Sequence, residues 1–257
     1  MKYKQFAVNI KKDLGIDLLN YKSTQMQRRI TNFMERLSCK DFAELLQLLK
    51  VNREVKNQFI KHLTINVTEF FRNPALFAYL EKEIMPTIAS KRTTFKIWSA
   101  GCSNGSEPYS LAIMMQEKFP GKRFVVEATD IDEEMLRIAK IGEYPIDSIK
   151  NLSKERLNKY FTINNEKVAV KPQLKSKVTF RKHNLMSDPY PENCDLIVCR
   201  NVLIYFTQEA QNYCYVNFSR ALVLGGVFFI GTSENIFHHK NYSLQQIHPG
   251  FYRKAQK

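Results

Sequence analysis

The feature that most constrains the fold is an alternation of short apolar segments with amphipathic segments, which begins near residue 93. Strands are predicted for the short segments rich in β-branched and aromatic residues, and helices for the amphipathic ones. The predicted strands are 94–99, 123–129, 178–182, 195–199 and 226–231, and the predicted helices are 107–119, 132–141 and 207–224. Such an alternation is typical of an α/β fold with a doubly wound parallel sheet.

Residues 148–177 interrupt this alternation. The stretch "KYFTINNEKVAVKP" contains two short apolar runs separated by Asn-Asn-Glu at 164–166, which predicts a β-hairpin that turns there. We therefore expect a small β insert at about 148–177, between the second and third strands of the main sheet.

Residues 1–75 predict helices alone. In "NYKSTQMQRRITNFMERLS" the apolar residues recur at helical spacing, and basic residues occupy the opposite face. The apolar face is Met26, Ile30, Phe33, Met34 and Leu37, and the basic face includes Lys22, Arg28, Arg29 and Arg36. "NP" at 73–74 predicts the start of a connecting helix over 74–90. We expect a helical domain at 1–75 and a second domain at 91–257.

The net charge of +14 is concentrated in two blocks. Residues 1–75 hold 14 Lys and Arg against 7 Asp and Glu, and residues 148–182 hold 10 against 2. Two basic blocks favour two docking surfaces for acidic partners, although lysine-rich faces that merely contact solvent would give the same composition.

Several classes of protein are disfavoured by composition. The longest apolar run, "ALVLGGVFFIG", has 11 residues and is too short to span a bilayer. The first 16 residues lack the uninterrupted apolar core of a signal peptide. The five cysteines form no CxxC pair, and the histidines show no metal-ligand spacing, so we expect reduced thiols, no metal and a cytoplasmic protein.

A glycine loop, "GCSNGSEP" at 101–108, joins the first predicted strand to its helix, a usual place for a ligand. The loop lacks the lysine of a nucleotide-binding P-loop, and Gly101-xxx-Gly105 does not match GxGxxG. Glu107 would also repel a phosphate. S-adenosylmethionine fits better because it has no phosphate and carries a sulfonium and an ammonium, so we predict that it binds through Gly101 and Glu107.

The second predicted strand ends in "ATDID", which places Asp130 where an acid can accept hydrogen bonds from two ribose hydroxyls. The alternative is that Asp130 caps the helix that begins near Glu133.

The methyl acceptor is less clearly encoded. The proline-containing tetrapeptide that often follows the fourth strand in enzymes acting on ring or amide nitrogen is replaced by "CRNVLIYF". A glutamate acceptor is already ionised at pH 7, so the enzyme needs only to align it and exclude water, and no catalytic base is assigned. An RNA methyltransferase and a non-catalytic cofactor-binding regulator remain as alternatives.

Six motifs in order resemble the CheR family of bacterial chemotaxis-receptor protein-glutamate methyltransferases. They are "INVTEFFRNP" (65–74), "IWSAGCSNGSEPYSLAI" (97–113), "ATDID" (128–132), "NL" (184–185), "CRNVLIYF" (199–206) and "GTSEN" (231–235). The resemblance implies a Rossmann-like methyltransferase domain behind an all-α domain, with S-adenosylhomocysteine as product. It also implies that the basic helix docks the cytoplasmic methylation helices of receptors, without nucleic acid or direct membrane insertion.

The resemblance also implies which residues contact the cofactor. These are Asn66, Thr68, Arg72, Glu107, Asp130, Asn184, Leu185, Asn201 and Val202. Arg72 suits the methionine carboxylate. For Asn66, "NVTE" has the form of a capping box with Glu69, and this structural role is an alternative or an addition. Phe70 and Phe71 are predicted to lie in the core. In some members of the family the β insert binds a receptor C-terminal pentapeptide.

Overall fold

The structure is a computed structural model that describes residues 1–89, 93–164 and 167–256. The chain forms two compact units. The helical unit comprises Met1–Asn66 and Val202–Cys214, and the sheet unit comprises Val67–Asn201 and Tyr215–Lys257. Among the described residues, none of the helices is both long and apolar enough to cross a membrane.

The helical unit is built from four helices that bury one face each. They are α1 (Tyr3–Leu14), α2 (Ser23–Arg36), α3 (Phe42–Val51) and α4 (Arg53–Thr64). Asp41 and Asn52 cap α3 and α4, because each side-chain oxygen accepts bonds from two backbone N–H groups of the first turn. The predicted apolar face of α2 is confirmed for Met26, Ile30, Phe33 and Met34, which are buried. Leu37 follows the last residue of α2 and is half-buried.

The basic face of α2 is not uniform. Lys22, Arg28 and Arg36 are exposed. Arg29 is half-buried, its guanidinium donates to the backbone oxygen of His62 on α4, and the His62 ring contacts the Arg29 oxygen at 2.8 Å. The position of Arg29 on the basic face therefore does not make it a solvent-exposed cation, because Arg29 links α2 to α4.

The main sheet has seven strands in the order β6-β2-β1-β7-β8-β10-β9. They are β1 (Thr94–Ala100), β2 (Arg123–Asp130), β6 (Val178–Lys182), β7 (Cys194–Cys199), β8 (Leu222–Ile230), β9 (Leu244–His248) and β10 (Phe251–Lys254). The first five strands in this order are parallel, which confirms the α/β prediction. The last two are antiparallel and were not predicted, so the sheet is mixed.

Helices flank the strands along the chain. The remaining helices are α5 (Pro74–Tyr79), a π-helical turn (Leu80–Ile84), α6 (Met85–Ala89), α7 (Ser106–Lys118), α8 (Glu133–Ile141), α9 (Lys154–Tyr160), α10 (Pro172–Lys175) and α11 (Gln208–Ala221). The connecting helix begins at Pro74 as predicted, and its expected last residue, Ser90, lies outside the described residues. The helix predicted for 207–224 is too long, because the chain is already extended from Leu222.

A small antiparallel sheet lies between β2 and β6 along the chain. Its strands are β3 (Glu143–Pro145), β4 (Phe161–Asn164) and β5 (Lys167–Val170), in the order β3-β5-β4. The predicted hairpin is confirmed as the β4–β5 pair, although residues 165–166 of its turn lie outside the described residues. Strand β3 precedes the predicted insert, and its three residues ending in proline gave no strand signal.

Candidate cofactor site

The glycine loop connects β1 to α7 and forms backbone hydrogen bonds with the end of β2. The backbone N–H groups of Gly101 and Cys102 both donate to the oxygen of Thr129, at 2.8 and 2.9 Å. Gly105 has φ +89°, and a Cβ there would lie 2.8 Å from the Cβ of Ala139 on α8. Glycine is therefore required at this position both for backbone conformation and for the close approach of the loop to α8.

Asp130 lies at the end of β2 and forms a hydrogen bond with the glycine loop. One carboxylate oxygen accepts from the Ser103 backbone N–H at 2.7 Å, and the other accepts from the Asp132 N–H at 2.9 Å. Asp132, not Asp130, caps α8, because it accepts from the first-turn N–H groups. The capping alternative for Asp130 is therefore wrong. Burial raises the pKa of Asp130 to about 6, against the opposing effect of the two N–H donors.

Glu107 lies in the first turn of α7, with its carboxylate largely buried. One oxygen accepts from the Ser99 hydroxyl at 2.8 Å, and the other lies 3.5 Å from a guanidinium nitrogen of Arg200. Burial raises the pKa of Glu107, and the positive charge of Arg200 opposes this shift. The Cys102 thiol, which interacts electrostatically with both acids, is fully buried, and burial raises its pKa, which makes it a poor nucleophile.

Arg200 was missed by the sequence analysis. It follows β7 and is 7% exposed, and it donates to the Arg72 oxygen at 3.0 Å and to the Asn73 side chain at 2.5 Å. Its guanidinium carbon lies 4.8 Å from the centroid of the Phe229 ring. Arg200 thus joins the segment before α5 to Glu107. A charge directly after the fully buried strand "CDLIVC" was the signal that could have identified it.

The segment that precedes α5 has no helix between residues 65 and 73. The capping-box interpretation of Asn66 and Glu69 is therefore wrong. The Asn66 amide donates to the hydroxyl of Thr64 at 2.8 Å, and Asn66 belongs to the helical unit.

Thr68 and Arg72 are half-buried in the sheet unit. Arg72 donates to the backbone oxygen of Val67 at 2.7 Å, a bond that holds the guanidinium along its own segment. Phe70 and Phe71 are buried, which confirms that they belong to the core.

Asn184 and Leu185 follow β6 directly beside Asp130. The N–H of His183 donates to the Asp130 backbone oxygen at 3.0 Å, so the two strand ends are joined. The side-chain oxygen of Asn184 accepts from the Met186 N–H at 2.9 Å, and Leu185 is 8% exposed. These predicted site residues therefore lie at the same edge of the sheet as Asp130.

Asn201 follows β7 at this edge and has a left-handed backbone with φ 59°. Its N–H donates to a carboxylate oxygen of Glu234 at 2.7 Å, and its amide donates to the Ser233 hydroxyl at 3.1 Å. The "GTSEN" motif therefore fixes the conformation of Asn201. The neighbouring Val202 belongs to the helical unit.

The carboxylate acceptors at this edge of the sheet suit a ligand that carries positive charge and hydroxyl groups. Buried carboxylates lie at the carboxyl ends of adjacent parallel strands, and both carboxylate oxygens of Asp130 accept backbone N–H groups. A carboxylate has about four lone-pair sites and can accept further hydrogen bonds. The described residues contain no cluster of His, Cys, Asp and Glu that could hold a metal ion. This chemistry fits the ribose and the cationic groups of S-adenosylmethionine.

Comparisons with known proteins agree with this chemistry. Residues 66–249 match the sequence model described as the CheR methyltransferase SAM binding domain, and residues 1–64 match the CheR methyltransferase all-alpha domain.

Three relatives are named chemotaxis protein methyltransferase. The protein from Listeria monocytogenes is 40% identical over 254 residues, which cover 98% of this chain and 97% of the relative. That from Borreliella burgdorferi is 35% identical, covering 94% and 90%. Chemotaxis protein methyltransferase 1 from Pseudomonas aeruginosa is 34% identical, covering 99% and 97%. The chain therefore belongs to the CheR methyltransferase family and is an S-adenosylmethionine-dependent methyltransferase.

Proposed function

We propose that this enzyme transfers the methyl group of S-adenosylmethionine to glutamate side chains of chemotaxis receptors, which forms methyl esters and S-adenosylhomocysteine. The observation that carries the proposal is the pair of buried acids, Glu107 and Asp130, at the glycine loop of a chain that matches both family domains. Such carboxylates favour a cationic cofactor without phosphate.

The bound cofactor supplies an electrophilic methyl group. The residues of this chain bind and orient it: Asp130 accepts hydrogen bonds from hydroxyls, Glu107 contributes negative charge, and Arg72 pairs with a carboxylate. The acceptor glutamate has an ordinary pKa near 4.3 and is ionised at neutral pH. No base is then required, and the rate comes from alignment and exclusion of water.

The proposed cofactor contacts extend along the same motifs. They are Asn66, Thr68, Arg72, Gly101, Glu107, Asp130, Asn184, Leu185, Asn201 and Val202. Asn66 and Val202 fall in the helical unit, and their assignment is supported by the family resemblance alone.

The proposed partners are the methylation helices of receptors, and the proposed docking residues are Lys22, Arg28, Arg29 and Arg36 on α2. The exposed members of this set, Lys22, Arg28 and Arg36, leave a positive surface. This assigns receptor docking to a helical domain at 1–75, followed by the connecting helix at 74–90. It assigns methyl transfer to 91–257, with the insert at about 148–177. We place the reaction in the cytoplasm, where these receptor helices lie.

Product chemistry tests the proposal. Incubation with tritiated cofactor and receptor-containing membranes, followed by mild base, is expected to release volatile methanol from a carboxyl methyl ester. Methylated RNA or lysine would retain the label. Label that stays in the base-treated pellet would contradict a glutamate acceptor, and the Asp130→Ala variant provides the background.

A further inference from the structure

A basic cavity of about 770 Å³ lies in the sheet unit, far from the glycine loop. It is bordered by Thr94 and Arg123, the first residues of β1 and β2. The glycine loop follows the last residue of β1, and Asp130 is the last residue of β2. Strand β1 has seven residues, so at about 3.3 Å per residue the two sites are separated by roughly 20 Å. The cavity is therefore distinct from the cofactor site.

The lining of this cavity is strongly cationic. Five basic side chains line it, namely Lys122, Arg123, Lys159, Lys171 and Lys177. No Asp or Glu is among the described lining residues, and none of the five forms an ion pair with a described carboxylate. The nearby acid Glu117 is already paired with Arg156 at 2.7 Å. Lys171 has a local structural contact, because its ammonium donates to the backbone oxygen of Asn158 at 2.7 Å. The mutual repulsion of five like charges opposes folding, so stability alone does not explain their grouping.

Aromatic rings line the same cavity beside these cations. Phe119, Phe124 and Tyr160 border it. The ammonium of Lys177 lies 5.8 Å from the centroid of Phe124, and that of Lys159 lies 5.2 Å from the centroid of Tyr160. Each amine is thus held close to an aromatic face. A ligand that carries both negative charge and a flat ring could contact both kinds of side chain.

We propose that this cavity binds a nucleoside oligophosphate. Three or four phosphate charges would offset the cluster of cations, and the base would contact the aromatic rings. The volume lies within the range of small-molecule sites. S-adenosylmethionine lacks phosphate and carries positive charge, so this cavity repels it. A peptide added to the exposed edge strand β4 would use backbone pairing and would not need a cavity.

Calorimetry with ATP tests the proposal, at low salt and with saturating S-adenosylhomocysteine to block the cofactor site. The variant Arg123→Gln/Lys159→Gln/Lys177→Gln changes three exposed residues of the cavity. We expect its Kd for ATP to rise at least tenfold. The matched control, Lys82→Gln/Lys140→Gln/Lys240→Gln, removes the same charge from exposed positions elsewhere and should change the Kd less than twofold.

A second set of probes separates the phosphates from the base. Phe124→Leu should weaken ATP about threefold while leaving tripolyphosphate unchanged, and adenosine alone should not bind. The affinity for S-adenosylhomocysteine should be unchanged in these variants, because none of their residues belongs to the proposed cofactor site. The proposal is overturned if ATP does not bind, if S-adenosylhomocysteine displaces it, or if the control loses as much affinity. Displacement of ATP by lower concentrations of an RNA oligonucleotide or an acidic peptide would also overturn it.

Discussion

The charged residues at the glycine loop are largely buried, whereas most of those on the basic face of α2 are exposed to solvent. At the glycine loop the acids are buried, and each has fixed partners: Asp130 accepts two backbone N–H groups and Glu107 contacts Arg200. In the helical unit, Lys22 directly before α2 and Arg28 on α2 are exposed to solvent. Fixed buried charges suit a small ligand of one shape, because they are preorganised. Exposed charges suit the capture of a large acidic partner, because they act at longer range and depend on salt.

Arg200→Met should produce the largest effect in the sheet unit. It leaves the buried Glu107 without its cationic neighbour and releases the backbone of Arg72, so we expect the free energy of unfolding to fall by about 3–5 kcal/mol. Urea denaturation measures this loss. The double variant Glu107→Gln/Arg200→Met removes the uncompensated charge and should recover part of the stability. Equal losses in both variants would mean that the ion pair is not the reason for the burial of Arg200.

Asp130→Ala should have the next largest effect, on cofactor affinity. Loss of charge-assisted bonds to hydroxyls is expected to weaken binding of S-adenosylhomocysteine by about 1.5–3 kcal/mol, or roughly 10- to 150-fold. Calorimetry on the folded variant measures it, and far-ultraviolet circular dichroism confirms the fold. Unchanged affinity would remove Asp130 from the site.

The two acids also show how far the sequence predicts a site. Glu107 and Asp130 were identifiable because each occupies a set place after a strand. The role of Arg200 was not, because it depends on long-range contacts with Asn73 and Glu107 that no local pattern encodes. Likewise, helical spacing places Arg29 on the basic face of α2, but it does not show that the Arg29 side chain contacts His62 on α4.

Among the secondary-structure elements, too, those encoded by a local sequence pattern were predicted, and those that depend on long-range pairing were not. The parallel strands are apolar runs with a clear period and were predicted to within a few residues. Strands β9 and β10 contain "LQQIH" and "FYRK", whose polar content indicates no strand, and their pairing with β8 is what makes them extended. The start of β8 at Leu222 was missed because the helical pattern of α11 leads directly into it.

The pH dependence of cofactor affinity should follow Asp130. Burial raises its pKa to about 6, and only the ionised form accepts two hydroxyl bonds, so affinity should fall roughly tenfold between pH 7.5 and pH 5. A raised carboxyl pKa in the folded state means that Asp130 contributes more stability at pH 4–5 than above pH 6. The expected fall in cofactor affinity at low pH therefore cannot result from unfolding caused by protonation of Asp130. Asp130→Asn should flatten the profile, and a wild-type affinity that is constant down to pH 5 would contradict the assignment.

Reversal of charge on α2 should affect receptor methylation with little effect on stability. Because Arg29 packs against α4, the informative variant is Lys22→Glu/Arg28→Glu. We expect the rate at limiting receptor to fall about fivefold at low salt and less at high salt, as the Debye length shrinks from about 10 Å at 0.1 M to about 3 Å at 1 M. The control Lys40→Glu/Lys61→Glu makes the same change at other exposed positions of the helical unit. A similar loss in the control would indicate a general charge effect.

Arg72→Lys should give the smallest change. Lysine keeps the charge but lacks the planar pair of donors that matches a carboxylate, so cofactor affinity should fall about two- to threefold. The melting temperature should change little, since the bond to the Val67 oxygen is a contact within the same short segment and lysine keeps the charge. A large drop in melting temperature with unchanged affinity would show that Arg72 has a structural role instead.

The division of roles between the two regions is tested most directly by one paired measurement on Asp130→Ala and Lys22→Glu/Arg28→Glu. For each variant, the Kd for S-adenosylhomocysteine and the KM for receptor are determined under the same low-salt conditions. We predict that Asp130→Ala raises the cofactor Kd at least tenfold with an unchanged receptor KM, and that the α2 variant raises the receptor KM about fivefold with an unchanged cofactor Kd. Variants that each change both constants to the same extent would contradict the account.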